Sequence, residues 1–393
     1  MTTQRWWHNL TALVPALAAT AVLACSGSGS TGPLPRTYAA VSVGGPFTCG
    51  LTSGGAAYCW GYNYHGALGT GDTTAQASPA PVTGGLSFTT VSAGFTHSCG
   101  VATRGAAYCW GYNSTGQLGT GDTTTHTSPA AVLGGLSFAS VSAGGGAVGV
   151  TNTCGVTTGG AAYCWGDNSN GALGDGTVIQ RTRPAAVAGG LSFSAVSAGG
   201  LHTCGITTGG AAYCWGYNGS GQLGTGDTTR RTSPVAVRGG LTFAAVTAGW
   251  AHTCGLTTGG VAYCWGDNSY GELGTGDATG QLSPVLVIGG LRFTTASAEG
   301  LHTCAVTTIG AAYCWGYNGD GQLGNGTAIQ QPSPTAVLGG LSFRSVSAGD
   351  DAGPGHSCGV TTGGLAYCWG ANVAGELGDG TTGGSFVPVL VVQ

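Results

Sequence analysis

Seven times along the chain a cysteine is followed ten residues later by Cys-Trp-Gly. The spacing couples Cys49 with Cys59, Cys99 with Cys109, Cys154 with Cys164, Cys204 with Cys214, Cys254 with Cys264, Cys304 with Cys314, and Cys358 with Cys368. Successive Cys-Trp steps lie 50, 55, 50, 50, 50 and 54 residues apart. A period near 50 sustained this long is the signature of a repeat architecture, in which each unit buries its apolar surface against the next. Paired cysteines in every unit also point to a compartment where thiols oxidise.

Within a unit the chain reads as short strands. The fifth copy runs Ser283-Pro-Val-Leu-Val287, Gly289-Gly-Leu-Arg-Phe-Thr-Thr-Ala296, Leu301-His-Thr-Cys-Ala-Val-Thr307 and Ala311-Ala-Tyr-Cys-Trp-Gly316. Each piece is rich in β-branched and aromatic residues and bounded by Gly, Asn, Asp or Ser-Pro turns, and no amphipathic helical period appears after residue 37. Four short strands per unit make a propeller blade. The expected fold is all-β, a seven-bladed β-propeller of four-stranded blades over residues 38–393. The first copy starts at Tyr38 without the Ser-Pro strand of the others, and a matching strand ends the chain as Phe386-Val-Pro-Val-Leu-Val-Val392. That pattern predicts closure by strand exchange, with one C-terminal strand joining three N-terminal ones in blade one and hiding both sheet edges.

The turn sets the cysteine register. Between Cys254 and Cys264 a three-residue loop, Thr258-Gly-Gly260, with glycine in the left-handed region pairs Leu256 with Ala262 and Cys254 with Cys264. The two Cα atoms then fall near 4.5 Å, within disulfide reach, so one disulfide is expected per blade. Zinc is the rival, but Cys-x9-Cys without a second pair or histidine at finger spacing is a poor ligand pattern.

The N-terminus reads as an export signal. Arg5 precedes the apolar run Leu10–Ala24, which ends in Val22-Leu-Ala-Cys25. The run is short for a membrane span of roughly 20 residues. Its Val-Leu-Ala-Cys ending resembles the bacterial lipoprotein box, in which the cysteine carries the lipid. Fifteen cysteines less seven pairs leave one, Cys25. Secretory cleavage that discards Cys25, or an uncleaved anchor, are the alternatives. Residues 1–25 are thus expected to be a signal, 26–37 a Gly/Ser/Pro tether, and the cell envelope or the exterior the destination, with membrane contact only through a lipid.

Charge narrows the partners. The chain has no lysine, and without the signal it carries nine arginines against fourteen acids. Nucleic acid needs clustered Lys and Arg to neutralise phosphates, so it is excluded as a partner.

The repeat Val-Ser-Ala-Gly-x-x-His-(Thr/Ser)-Cys-Gly, continued by Tyr-Cys-Trp-Gly-x-Asn-x-x-Gly-(Gln/Ala/Glu)-Leu-Gly, closely resembles the regulator of chromosome condensation repeat. Tyr108-Cys-Trp-Gly-Tyr-Asn-Ser-Thr-Gly-Gln-Leu-Gly119 is a near-consensus copy with Cys in the family's small-residue slot. The resemblance covers residues 38–393 and implies a seven-bladed propeller. Its founding nuclear member is an exchange factor for a Ran-type GTPase, so a nucleotide-exchange-like regulator is one reading it implies. Exported members that clasp another protein on the propeller face, such as the β-lactamase-inhibiting propeller of soil bacteria, are the other.

Recurrent polar residues read as scaffold. His97, His202, His252, His302 and His356 each precede the first cysteine of a repeat by two residues, and the resemblance makes them structural, bonding to backbone. Asp72, Asp122, Asp227 and Asp277 in Leu-Gly-Thr-Gly-Asp read as turn caps. No metal, cofactor or catalytic residue is assigned, and a non-enzymatic protein is expected. The variable positions carry the functional expectation: Phe95, Leu201, Trp250 and Leu301, with Asp350 and Asp351 in an insert, form a ring of loops suited to a protein partner. Tyr64-His65, Ser269-Tyr270 and Gly319-Asp320, before Gly-x-Leu-Gly, form a second, reserve face. An extracellular glycan binder or hydrolase is the alternative; Glu299 converging with Asp350 and Asp351 would mark the hydrolase. Partner identity and oligomeric state stay open.

Overall fold

The computed structural model describes residues 36–146, 150–349 and 355–392. The expected signal, Cys25, residues 26–35 of the tether, Asp350 and Asp351 lie outside the described residues. The described chain forms seven four-stranded antiparallel sheets. The first blade consists of Tyr38–Val43, Phe47–Thr52, Ala57–Gly61 and Gln76–Pro81, from the axis outward. The middle strands are buried on both faces, because each blade is covered by a neighbour on either side.

All seven expected disulfides are present, one per blade. Cys49 is bonded to Cys59, Cys99 to Cys109, Cys154 to Cys164 and Cys204 to Cys214. Cys254 is bonded to Cys264, Cys304 to Cys314 and Cys358 to Cys368. Their Cα atoms lie 4.0–4.1 Å apart, closer than the 4.5 Å expected of a non-hydrogen-bonded pair. The register is the expected one: Cys254 stands opposite Cys264 and Leu256 opposite Ala262. Gly260 occupies the left-handed region at φ +75°. Each bridge lies in an interblade core. Cys49 and Cys59 pack with Leu68 of their own blade and with Phe88 and Trp110 of the next; Cys99 and Cys109 pack in the same way with Leu118, Phe138 and Trp165. The staple is local in its bonding and shared in its packing.

Closure differs from the expectation. The last blade is made of Phe343–Gly349, His356–Thr361, Ala366–Gly370 and Ser385–Leu390, all consecutive. Ser385–Leu390 pairs with the strand before it, with Tyr367 opposite Leu390 and Cys368 opposite Val389, and not with blade one. The Ser-Pro strand therefore ends a blade where the sequence reading had it begin one. The cause lies in the loop after Cys-Trp-Gly. Gly66, Gly69 and Gly71, all at positive φ, turn loop 62–75 back so that the next strand runs beside the one just left.

The ring closes by side chains and loops. In each blade the hairpin glycine accepts the amide of the next blade's first aromatic residue: Phe88 to Gly55, Phe138 to Gly105, and across the junction Tyr38 to Gly364 at 2.8 Å. Inner-strand hydroxyls form a second series, each accepting an N–H from its neighbour: Ala93 to Ser42, Ala143 to Ser92, and at the junction Val43 to Ser347, at 3.0 Å. The third series comes from the loops, described below. Among the described residues each blade keeps one unpaired outer edge, and every outermost strand carries a proline: Pro79, Pro129, Pro184, Pro234, Pro284, Pro334 and Pro388. A residue without an N–H guards an edge against pairing.

Candidate binding face

Two connections per blade leave the same end of the propeller: the short link between first and second strands, and the long Asn-x-x-Gly-x-Leu-Gly loop between third and fourth. The long loop is shaped by its asparagine. Asn113 is buried, accepts the amide of Leu118 at 3.0 Å and donates to the carbonyl of Thr124 at 2.9 Å. Asp122 then caps the turn, accepting the Thr124 amide at 3.0 Å and the Thr120 hydroxyl at 3.0 Å. Those donors hold its carboxyl below the usual range. Asp72, Asp227 and Asp277 cap the equivalent turns, accepting the amides of Thr74, Thr229 and Thr279.

The loop thrusts its tip into the following blade. The Ala67 carbonyl accepts the Trp110 indole N–H at 2.9 Å and the Ser98 hydroxyl at 2.8 Å. Across the junction the Glu376 carbonyl accepts from Trp60 at 2.8 Å and Thr48 at 3.1 Å. Six of the seven Cys-Trp-Gly indoles donate in this way.

The histidines belong to the same network, with a partner other than the expected backbone. His97, His202, His252, His302 and His356 reach the hydroxyls of Thr153, Thr253, Thr303, Ser357 and Thr48 in the next blade at 2.7–2.9 Å. Each hydroxyl already spends its proton on a carbonyl, so the imidazole Nε2 donates and Nδ1 is the bare nitrogen. Nδ1 of His97, His202 and His356 has no hydrogen-bond partner among the described residues, and burial pushes these rings down to about 3. They are neutral struts. No group of three or more His, Cys, Asp or Glu is placed to hold an ion among the described residues.

Phe95, Leu201, Trp250 and Leu301 all lie in the short links of this face and are half-buried. The carbonyls of Leu201 and Leu301 accept the amides of Tyr217 and Tyr317 at 3.0 and 2.9 Å, which ties the short link to the long loop. The Trp250 ring spans outward from its own blade, since a side chain at Gly200 or Gly146 in the two preceding blades would collide with it. Glu299 and Phe95 border the central channel mouth, which is otherwise walled by glycine and alanine. The convergence of Glu299 with Asp350 and Asp351 falls outside the described residues.

One correction concerns the reserve face. Tyr64 and His65 share a cavity with Phe95, so the two loop sets form one face. The cavity, about 140 Å³, opens between blades one and two. Sequence reading missed its other wall, Tyr62, which follows Cys-Trp-Gly. Tyr112, Tyr217 and Tyr317 occupy the same slot in other blades, so the signal was in the one position of Cys-Trp-Gly-x-Asn treated as free. Tyr62 stacks on Tyr64 at 6.3 Å, and His65 bridges Tyr64 and Tyr112 at 4.9 and 4.5 Å. Tyr270 meets Tyr317 edge-on at 5.1 Å.

The profile of the RCC1-like domain matches residues 21–352. No curated protein matches the chain in sequence. Among solved structures, Prp20p of Saccharomyces cerevisiae, whose structure was described with its binding to Gsp1p and histones, is similar at 20% identity. The match covers 91% of this chain and 88% of that one with a TM-score of 0.75. Human WBSCR16 is similar at 21% identity over 83% and 88% of the two chains, TM-score 0.74. The ectodomain of the Physcomitrella patens receptor kinase CR4 is 22% identical over 85% and 74%, TM-score 0.55. These likenesses show the fold.

Proposed function

Because the chain belongs to the RCC1-like domain family, we propose that it is a non-enzymatic propeller that captures a protein partner on the face carrying both loop sets. The observation that carries this reading is the concentration of exposed and half-exposed aromatic side chains there. Tyr62, Tyr64, Phe95, Tyr217, Trp250 and Tyr270 all rise from these loops, which hold the chain's departures from its own repeat. Aromatic anchors on a rigid frame are what a protein interface uses. The structure of Kap60 bound to yeast RCC1 is a precedent for a protein of this fold having a protein partner. Seven disulfides favour a partner met in an oxidising compartment over a cytosolic GTPase. The reading includes export through residues 1–25 and tethering through Cys25.

Affinity capture from the native cell envelope with the oxidised protein tests it. A partner retained by the wild type is expected to be lost from the Phe95→Ala/Trp250→Ala double variant at unchanged thermal midpoint. Equal retention by both would remove the face from consideration.

A further inference from the structure

Charge is sorted between the two ends of the propeller. Among the described residues every Asp and Glu lies at the loop end, in the long loops or, for Glu299, at the last position before a short link. The ion pairs Arg181–Asp175 and Arg231–Asp227 belong to that end as well. The opposite end, made of the hairpins between second and third strands and the Gly-Gly links, holds no acid among the described residues. It carries Arg36, Arg104, Arg292 and Arg344. The net charge of −4 over the whole chain hides this division.

These residues are departures from the repeat. The third hairpin position is glycine in five blades, and a side chain added at Gly54, Gly159, Gly209, Gly259 or Gly363 would meet nothing nearer than 3.7 Å. Packing makes no demand there, yet blade two places an exposed Arg104 at this position and blade six places Ile309, which is 85% exposed. Arg292 stands where Ser87, Ser137, Ser192 and Ser342 stand in other blades. It donates to the Gly259 carbonyl at 3.2 Å, and its own carbonyl accepts the Thr308 amide at 3.0 Å, which sets Ile309 beside it. Arg344 donates to the Tyr38 carbonyl. Arg36, in the slot that Leu86 fills before blade two, stacks on Tyr58 at 3.8 Å. Among the described residues no ion pair involves Arg104, Arg292 or Arg344. The five residues occupy blades six, seven, one and two, a continuous sector of the ring that contains the point where residues 1–35 join it. In blades three to five the same hairpins read Thr-Thr-Gly-Gly.

We infer that this sector of the hairpin face docks the propeller on an anionic bilayer, with the arginines against lipid phosphates and Ile309 among the headgroups. The same surface repels the acids of the loop end, so the face carrying Tyr62, Phe95 and Trp250 turns away from it. Chain entry selects the same occupant. Ten residues, 26–35, reach at most about 35 Å, so an anchor at Cys25 keeps this end nearest the bilayer. The inference rests on the tethered reading above and adds a protein face to a contact expected through lipid alone.

Vesicle flotation of the oxidised chain 26–393, which holds all seven blades without the apolar run or Cys25, tests the face by itself. At low ionic strength the chain is expected to float with vesicles of equal parts phosphatidylglycerol and phosphatidylcholine, and not with phosphatidylcholine alone. Each arginine brought to an anionic leaflet tightens binding about fivefold. Arg104→Gly/Arg292→Ser/Ile309→Gly installs the residues that sibling blades hold, and is expected to weaken binding about twentyfold with all seven disulfides formed. Arg230→Gln removes a charge from the loop end and is expected to leave flotation unchanged. Equal flotation with both vesicle types, no flotation, or indifference to the triple variant would each overturn the docking face. Retention on polyglutamate in preference to vesicles would overturn it as well, by giving the arginines to an acidic protein. The assay needs neither partner nor acyl chain, so its failure is distinct from failure of the capture or of the tether.

Discussion

His97 is a neutral imidazole wedged between blades, donating to Thr153 at 2.8 Å with its other nitrogen bare. Protonation would place a charge and an unmet donor in a dry site. Its folded pKa, pushed down to about 3, lies below the unfolded value near 6.5. The group therefore contributes stability that is present above pH 6.5 and is lost as pH falls toward 3. The loss is about 1.4 kcal/mol per pH unit for each such histidine. Blade three supplies the control, since Asn152 makes the same cross-blade contact to Thr203 at 3.4 Å without titrating. His97→Asn is expected to remove about 2 kcal/mol of the stability lost between pH 7 and pH 5, read by urea denaturation at both values. These histidines were legible as scaffold because they recur. Their hydroxyl partners were not, because the partner lies one blade, 51 to 56 residues, away along the chain except at the ring junction. The candidate site shows the same limit. Phe95 and Trp250 stood out as departures from a repeat, whereas the cavity beside Phe95 is lined by Ala67, a small side chain whose meaning depends on what surrounds it.

At the level of the strand, composition told most of the story. The Gly-Gly turn, the cysteine pairing and the four strands per unit are local facts, fixed within about a dozen residues of sequence. The phase of the blade is not local. Whether the Ser-Pro strand joins the strand before it or after it depends on how loop 62–75 and its equivalents turn back, and that is decided by three positive-φ glycines acting together. The resulting outer strands are edges, and their defence is proline. Gln281–Leu286 is one apolar, exposed case, with Leu282 and Leu286 at 42% and 50%. Pro284→Val restores an amide donor on a flat apolar edge. It is expected to leave the thermal midpoint within about 2 °C while raising sedimentable aggregate at high protein concentration, measured by ultracentrifugation.

Across the whole molecule, the junction between the last and first blades uses the same kinds of contact as the other interfaces, including the histidine strut and the indole bond that some of them lack. The core there joins Tyr38, Val43 and Trp60 to Val360, Cys368, Leu377 and Val391. Tyr38 stands where other blades have phenylalanine and keeps the same tilted contact with its tryptophan, at 6.0 Å. With no strand exchanged, the break in the chain is interchangeable with any of the inter-blade Gly-Gly links. A circular permutant joining Val392 to Thr37 through a Gly-Gly-containing link, with new ends at Gly189 and Gly190, is expected to form seven disulfides and melt within about 5 °C of the parent. Differential scanning calorimetry and thiol counting check this; a permutant that exposes free thiols would show the junction to be special. The indole of Trp60 sets a clock on this design. Its acceptor is the carbonyl of Glu376, 316 residues further on. In a chain delivered from its N-terminus, the first blade tryptophan to emerge is the last to be satisfied, and blade one waits, unfinished, for the arrival of blade seven.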